Sequence, residues 1–335
     1  MSAVKKTPTI YDVAKLAGVS ITTISRVLNA PDKVQASTRM RVLAAIDELS
    51  FLPKAEARAR ALQHTRRIGV ITPFFTAPSF VQRLRGIAAA ISKANYELVI
   101  YTVDSLEHLH SHLATLSLTK NIDGLIVISL PVHGEPARQL SQHGMPTVLI
   151  EYPNPAFNGV EIDDVRGGRM AAEHLIARGH RRLAFLGDTN PPDYAIHPAG
   201  LRRKGFRQAI EKAGLQLPPS YIRSAPDETE AARQVARDLL RMKRPPSAIF
   251  AFSDFQALVL LKVARELHIR VPENLAIIGF DDLDQAEYED LTTVSQHLDE
   301  SGRLAIDLLL SHMEDETLPV QHVKIPLTLV QRKTT

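Results

Sequence analysis

Ile21, Thr22, Ser25 and Arg26 are the first residues whose types suit recognition chemistry rather than packing. In the run Ser20-Ile21-Thr22-Thr23-Ile24-Ser25-Arg26-Val27-Leu28-Asn29, Ile24, Val27 and Leu28 supply an apolar face at helical spacing and leave these four outside it. A helix that enters a DNA major groove needs small side chains for close approach, hydroxyls for phosphate and an arginine whose fork matches guanine. An ordinary helical hairpin with a solvated face has the same spacing.

A second set of candidates follows short apolar runs further along: Phe74-Phe75, Glu151, Ser253-Asp254 and Asp281-Asp282. Open parallel sheets bind ligands just beyond the carboxyl ends of their strands. Carboxylates there suit hydroxyls, and Phe74 or Phe75 would cover an apolar ring face. The plainer roles are a helix cap for Asp281 and core packing for the phenylalanines. Other chemistry is thin. His108, His110 and His112 alternate on a helix where 108 and 112 share a face and could hold a metal, although a solvated helix is the commoner explanation of such a run. The acid pairs Asp163-Asp164 and Asp281-Asp282 have no evident base, nucleophile or metal cage. No G-x-G-x-x-G follows the first strand, and neither a phosphate-binding G-x-x-x-x-G-K nor a G-x-S-x-G elbow occurs. No enzyme, metal site or cofactor is expected.

The elements that must position these residues divide the chain. Ile10, Val13, Ala14, Leu16 and Ala17 predict a first helix, opened by a capping-box-like Thr9 and Asp12 and closed by Gly18-Val19-Ser20, with Ser20 capping the next helix. Met40, Leu43, Ile46 and Leu49 predict a third amphipathic helix, and Phe51-Leu52-Pro53 ends the bundle. Residues 54–62 are rich in helix formers with little to pack, so this segment is marginal unless it orders on a partner. From Ile68 the pattern changes to buried parallel strands near 68–71, 98–101, 125–128, 148–150, 183–186, 248–251 and 276–279. Helices are predicted between them, near 79–94, 105–119, 135–143, 166–178, 200–213, 228–242 and 255–267.

Composition supports this division. The 335 residues exceed one comfortable core, and 44% are hydrophobic. Residues 1–67 carry 12 Lys/Arg against 5 Asp/Glu, a balance of +7, and the remaining 28 and 32 give −4. The basic footprint belongs to the head, as phosphate binding requires. No cysteine is present, which removes disulfides and thiolate metal sites. Met1–Pro8 has no apolar signal region and no later run is long and apolar enough to span a bilayer, so a soluble cytoplasmic protein is expected.

Tyr11-Asp12-Val13-Ala14, Ala17-Gly18-Val19-Ser20 and Thr23-Ile24-Ser25-Arg26-Val27-Leu28-Asn29 resemble the DNA-binding head of LacI-family (lactose-repressor type) transcriptional regulators. The likeness continues through Gly179-His180-Arg181-Arg182, Lys204-Gly205-Phe206, Val271-Pro272-Glu273-Asn274 and Gly279-Phe280-Asp281-Asp282, and so covers nearly the whole chain. It implies an N-terminal all-α helix-turn-helix head plus an α/β two-lobed, periplasmic-binding-protein-like core with parallel sheets. The expected divisions are a head at 1–52, a hinge helix or linker at 53–66 and an effector-binding, dimerising core at 67–335. Within the core the expected N-lobe is about 67–158 and 292–320, and the C-lobe about 163–290 and 321–335.

By the family's pattern Ile21, Thr22 and Arg26 read base edges, and Thr9, Tyr11, Ser20, Thr23, Ser25, Asn29 and Thr38 hold phosphates. The family's hinge inserts a leucine seven residues after a proline, which counts here to Arg60. Leu62, two residues on, is turned by about 200°. Arginine suits a narrow, A·T-rich minor groove, so an A·T-rich operator centre is expected, with a phosphate contact the plainer role for Arg60. Arg202 and Asp281 match effector contacts, Ser253 a contact usually filled by asparagine, Glu151 one usually shorter by a methylene, and Gln296 a crossover contact. An arginine fork facing a carboxylate across a cleft suits adjacent hydroxyls. Many relatives have an aromatic residue near the helix that starts about Glu228, where this chain has Pro226-Asp227.

The implied function is a repressor that binds a pseudo-palindromic double-stranded operator as a homodimer and answers to a small molecule, with a sugar or sugar derivative the leading class. One head reads only a half-site, hence the dimer. No heptad pattern accompanies Arg332-Lys333, so a tetramer through a terminal coiled coil is not expected. The rival reading is a carbohydrate-binding or carbohydrate-processing α/β protein whose basic head is incidental.

Overall fold

The computed structural model describes residues 8–29, 33–49, 65–119, 121–189, 192–226 and 229–335, in two compact units that meet in the chain at 65/66. The first unit has helices α1 (Ile10–Ala17), α2 (Ile21–Asn29) and α3 (Ala36–Glu48). Asp12 accepts hydrogen bonds from the backbone N–H and the hydroxyl of Thr9, at 2.8 and 2.7 Å, and so fixes the start of α1. Gly18 ends that helix at φ 64°, a left-handed conformation glycine adopts without a Cβ penalty. Ser20 then accepts the N–H of Thr23 at 3.2 Å and starts α2. Val13, Ala14, Ala17, Ile24, Val27, Val42 and Ala45 form the buried core.

The third helix departs from expectation. Met40 and Leu43 are exposed, and Val42 and Ala45 are buried, with Ile46 and Leu49 packed beside them. Residues spaced by three at 40, 43, 46 and 49 drift about 60° per step around a helix, whereas 42, 45, 46 and 49 stay on one stripe. Leu16 is also exposed. Arg60 and 53–64 of the expected hinge lie outside the described residues, as does the side chain of Asn29.

The second unit holds two six-stranded sheets. In chain order its elements begin β1 (Arg67–Thr72), α4 (Pro78–Lys93), β2 (Glu97–Thr102), α5 (Leu106–Thr119), β3 (Gly124–Ile128), α6 (Gly134–Gln142), β4 (Thr147–Ile150) and β5 (Asn158–Glu161). They continue with α7 (Asp164–Ala177), β6 (Leu183–Asp188), α8 (Pro198–Lys212), β7 (Ile222–Ala225), α9 (Thr229–Leu240), β8 (Ala248–Ala251), α10 (Asp254–Glu266) and β9 (Ala276–Asp281). The last are α11 (Asp284–Tyr288), β10 (Thr292–Ser295), α12 (Leu298–Glu314), β11 (His322–Lys324) and β12 (Thr328–Val330).

Strand orders are β11-β5-β4-β3-β1-β2 and β12-β10-β9-β8-β6-β7. Every pairing is parallel except β10 with β12. The chain therefore crosses between lobes after β5, after β10 and after β11. Two limits differ from the expected lobes. Thr292–Ser295 pairs with β9 in the second sheet, so the return to the N-lobe begins later, with α12. His322–Lys324 pairs with β5 and stays in the N-lobe sheet. Among the described residues no helix is long and apolar enough to cross a membrane.

Two helix crossings set the geometry at the cleft, one in each lobe. A Cβ on Gly302 of α12 would stand 2.2 Å from the carbonyl oxygen of Arg83 on α4. A Cβ on Gly168 of α7 would stand 1.8 Å from the carbonyl oxygen of Arg202 on α8. Each glycine lets a neighbouring helix approach at backbone contact at the level of a cavity arginine.

Candidate functional site

The carboxyl ends of both sheets meet around a cavity of about 330 Å³. From the N-lobe come Phe74 after β1, Phe80 and Arg83 on α4, Ser129 after β3 and Glu151 after β4. The C-lobe contributes Asp188 ending β6, Arg202 on α8, Phe252 and Ser253 after β8, and Asp281 ending β9, with Gln296 on the crossover after β10. Six of the seven expected effector residues thus share one cavity. Phe75 does not line it and is 42% exposed. It follows Phe74 in the turn after β1, and Phe74 takes the inward position, its ring 5.8 Å from Phe80 and 6.3 Å from Tyr194.

A buried polar chain connects the two lobes. Glu151 accepts a hydrogen bond from Ser129 and a 2.5 Å ion pair from Arg83. Arg83 also donates to Ser301 at 2.9 Å and to Gln296 at 3.3 Å. Gln296 donates onward to Asp281 at 2.6 Å. Arg202 lies 3.8 Å from Asp281, pairs with Asp164 at 2.8 Å, donates to the Phe252 carbonyl and sits 3.6 Å above the Phe280 ring. Arginine and carboxylate do meet at the cleft, but each arginine is first neutralised by its own lobe.

Charge balance differs between the two ends. Burial pushes the Glu151 carboxyl up, but Arg83 with the hydrogen bonds from Ser129 and Arg83 outweighs it and holds the group below the ordinary carboxylate range. Burial dominates at Asp164, which is raised despite Arg202. Asp281 is pushed up to about 6, again by burial against Arg202 and Gln296. Behind it Asp254 is raised well above its ordinary value by burial and by the charge of Asp281. Asp254 accepts the N–H of Leu283 at 2.8 Å and the Thr293 hydroxyl at 2.6 Å, which pins the turn through Asp281 and Asp282, at φ 123° and 61°. Ser129 and Glu151 also have left-handed φ, 55° and 69°. Such non-glycine positions concentrate at ligand sites.

Several expected alternatives find ordinary roles. Asp163 caps α7, Asp282 pairs with Arg332 at 2.8 Å, and the Ser253 hydroxyl caps α10 while lining the cavity. His108 pairs with Asp104 and the His112 ring packs against Tyr101. Among the described residues no cluster could hold a metal ion.

Arg83 and Ser129 were not expected from the sequence. Arg83 sits among Phe80, Leu84, Ile87 and Ile91, so a cation on the apolar stripe of α4 was the available signal. Ser129 follows a strand as Glu151 does.

In the head, Thr9, Tyr11, Ser20, Ile21, Thr22 and Arg26 are exposed, and Thr23, Ser25 and Thr38 half-buried. Ile21, Thr22, Ser25 and Arg26 fall on α2 away from Ile24 and Val27. The Ser20 hydroxyl also bonds that of Thr23 at 2.9 Å.

Residues 9–54 match the family described as bacterial regulatory proteins, lacI family, and residues 172–335 a periplasmic binding protein-like domain. The chain is 33% identical over 333 residues to the ribose operon repressor of Escherichia coli (strain K12), covering 97% of this chain and 98% of that protein. The chain belongs to the LacI family. Among solved structures, the lac repressor dimer bound to operator and the anti-inducer ONPF matches with TM-score 0.80 and 26% identity, over 98% of this chain and 99% of that one. The complex of the transcriptional regulator CelR with cellobiose matches with TM-score 0.69 and 29% identity, over 98% and 100%. This LacI-family chain is accordingly a DNA-binding transcriptional repressor with a helix-turn-helix head and a two-lobed α/β core.

Proposed function

We propose that this repressor binds an uncharged, hydroxyl-rich small molecule, a sugar or close derivative, in the inter-lobe cavity, and that occupancy sets its operator affinity. The observation that carries this reading is the composition of the cavity wall. Two arginines face three carboxylates, Asp188, Glu151 and Asp281, with Asp164 a fourth on Arg202. A phosphate or carboxylate ligand would add negative charge where the wall already has a surplus, in a setting that screens it poorly. Hydroxyls suit the same wall: they donate to Glu151 and Asp281 and accept from Nη1 of Arg83 and Nη2 of Arg202, which make no hydrogen bond among the described residues. Phe74, Phe80, Phe252 and Phe255 offer rings to the apolar face of a sugar. The relatives named for ribose and cellobiose agree with this class.

The roles follow from that arrangement. Ile21, Thr22 and Arg26 read bases; Thr9, Tyr11, Ser20, Thr23, Ser25, Asn29 and Thr38 position the head on phosphates. Arg202, Asp281, Glu151, Ser253, Gln296 and Phe74 hold the ligand, joined by Arg83 and Ser129. The cavity is read as binding its ligand without turning it over, with Glu151 held by Arg83 and Ser129 and Asp281 held by Gln296 with Arg202 3.8 Å away. The protein acts in the cytoplasm as a homodimer on a two-fold symmetric operator. Ligand contacts to both lobes bias their closure, and coupling of this kind is typically about 1–3 kcal/mol.

A gel shift with the DNA upstream of the gene, with and without neutral sugars and their phosphate esters, tests this reading beside a turnover assay. Neutral sugars are expected to change the shift and remain intact. A response only to the esters, or conversion of the sugar, contradicts it.

A further inference from the structure

The pole of the C-lobe opposite the cavity carries a concentration of positive charge that neither operator reading nor ligand binding uses. β6, β8 and β9 are adjacent and parallel, with Leu183 beside Ala248 and Ala248 beside Ala276. The helix-to-strand loops that feed them therefore emerge together. The first loop exposes Arg178, Arg181 and Arg182; the second exposes Arg241, Lys243 and Arg244; the third exposes Arg270. Residues 178–182, 241–247 and 268–274 contain these seven Lys/Arg and one acid, Glu273, a balance of +6 within residues 68–335, whose overall balance is −4.

The loops are stitched into one surface. Arg182 donates to the Pro245 carbonyl at 3.1 Å, Ser247 N–H to the Arg182 carbonyl at 2.8 Å, and Ala276 N–H to the Ser247 carbonyl at 2.9 Å. None of the seven cations pairs with a carboxylate among the described residues, whereas the exposed Arg265 and Arg303 and the half-buried Arg233 and Arg237 elsewhere on the core do. His180, at the edge of the patch, is held below its ordinary pKa by partial burial and by Arg178.

We propose that this pole is a second, sequence-independent site for duplex DNA. Three neighbouring strands span about 10 Å, and about 10 Å of duplex axis carries about six phosphate charges. That number is close to the excess positive charge of the loops. The patch lacks an apolar centre or aromatic anchor of the kind a protein partner would fill. Its occupant is a polyanionic surface met through phosphates, and duplex DNA is the polyanion this protein works on. The site rests on the DNA-binding reading of the protein only for the identity of that occupant. A subunit engaged through its head would then hold a second DNA segment at its far pole.

The test uses the full chain, attached to a support through an amino-terminal tag or loaded on immobilised DNA from upstream of its gene. A labelled, short duplex of random sequence is then offered at rising salt to the wild type and to R181Q/R241Q/K243Q/R244Q, which spares Arg182 and its loop-tying bond. DNA-loaded wild type is expected to capture the duplex, and the variant to load normally but capture with a salt slope shallower by about 3–4. Equal capture by wild type and variant, no capture by DNA-loaded wild type, or capture of labelled polyglutamate in preference to duplex would each overturn the proposal. Failure of the wild type to load on the upstream DNA is a separate result that strikes the operator reading, and the tagged chain still reports on the pole.

Discussion

The N-lobe and the C-lobe each bury one arginine at the cavity and hold it by the same device, a glycine of the neighbouring helix packed against the arginine carbonyl. The electrostatic outcomes are opposite. Arg83 serves one buried carboxylate, Glu151, and keeps it ionised. Arg202 is shared between Asp164 and Asp281, with Asp254 behind them, and both carboxylates it touches are raised. One cation per anion makes a fixed wall, and one cation for two anions makes a wall that takes up protons near neutrality.

The largest effect should separate the two arginines. Removing one partner of a buried ion pair costs about 3–5 kcal/mol when the remaining charge has no refuge. Arg83→Ala is expected to lose that much in urea unfolding, because Glu151 is left charged. Arg202→Ala should lose clearly less, and less at pH 5 than at pH 8, since its carboxylates can protonate. Equal losses, independent of pH, would erase the distinction.

Next are the glycines. Gly302→Ala and Gly168→Ala force a methyl against a carbonyl, an overpacking that costs about 1–3 kcal/mol. Each should weaken ligand binding by displacing its own arginine while leaving operator binding by the head in place, as calorimetry and gel shifts would show.

The pH response is smaller. A raised carboxyl such as Asp281 stabilises the ligand-free fold fully below its ordinary 3.8, and that contribution is lost as pH rises through about 6. Glu151 runs the other way, stabilising above the ordinary 4.5 and losing its contribution as pH falls through a lower value. A sugar that donates to ionised Asp281 must displace its proton. Affinity should therefore fall by up to about tenfold per pH unit below 6 and level off above it. Asp281→Asn should flatten that profile, and a flat wild-type profile would remove the titrating wall.

Smallest is the rim. Arg85 bridges Asp284 of the C-lobe and Asp299 of the N-lobe, both at 2.6 Å, and about half of its side chain is exposed. Exposed pairs are worth about 0–1 kcal/mol, so Asp284→Ala should alter ligand affinity no more than a few-fold. A larger change would move control of closure from the cavity to its edge.

What could be read in advance tracks how local its cause is. Thr9 with Asp12, Gly18 and Ser20 act within a few residues, so the first two helices were legible. The apolar runs of β1, β3 and β4 announced themselves because both faces are covered. His322–Lys324 and Thr328–Val330 are short, exposed edge strands with no such run, and only the chain crossings hinted at them. The cavity was half legible: strand ends point to Glu151 and Asp281, but nothing local shows that Arg83 reaches Ser301 and Gln296, more than two hundred residues away.

The most direct test of cavity control over the head is operator affinity, measured by anisotropy with and without a neutral sugar that binds, for wild type and Arg202→Ala. The wild-type affinity should change by about 5–150-fold with the sugar, and the variant should bind operator as tightly as free wild type and ignore the sugar. A variant that responds as the wild type does would contradict control through this cavity.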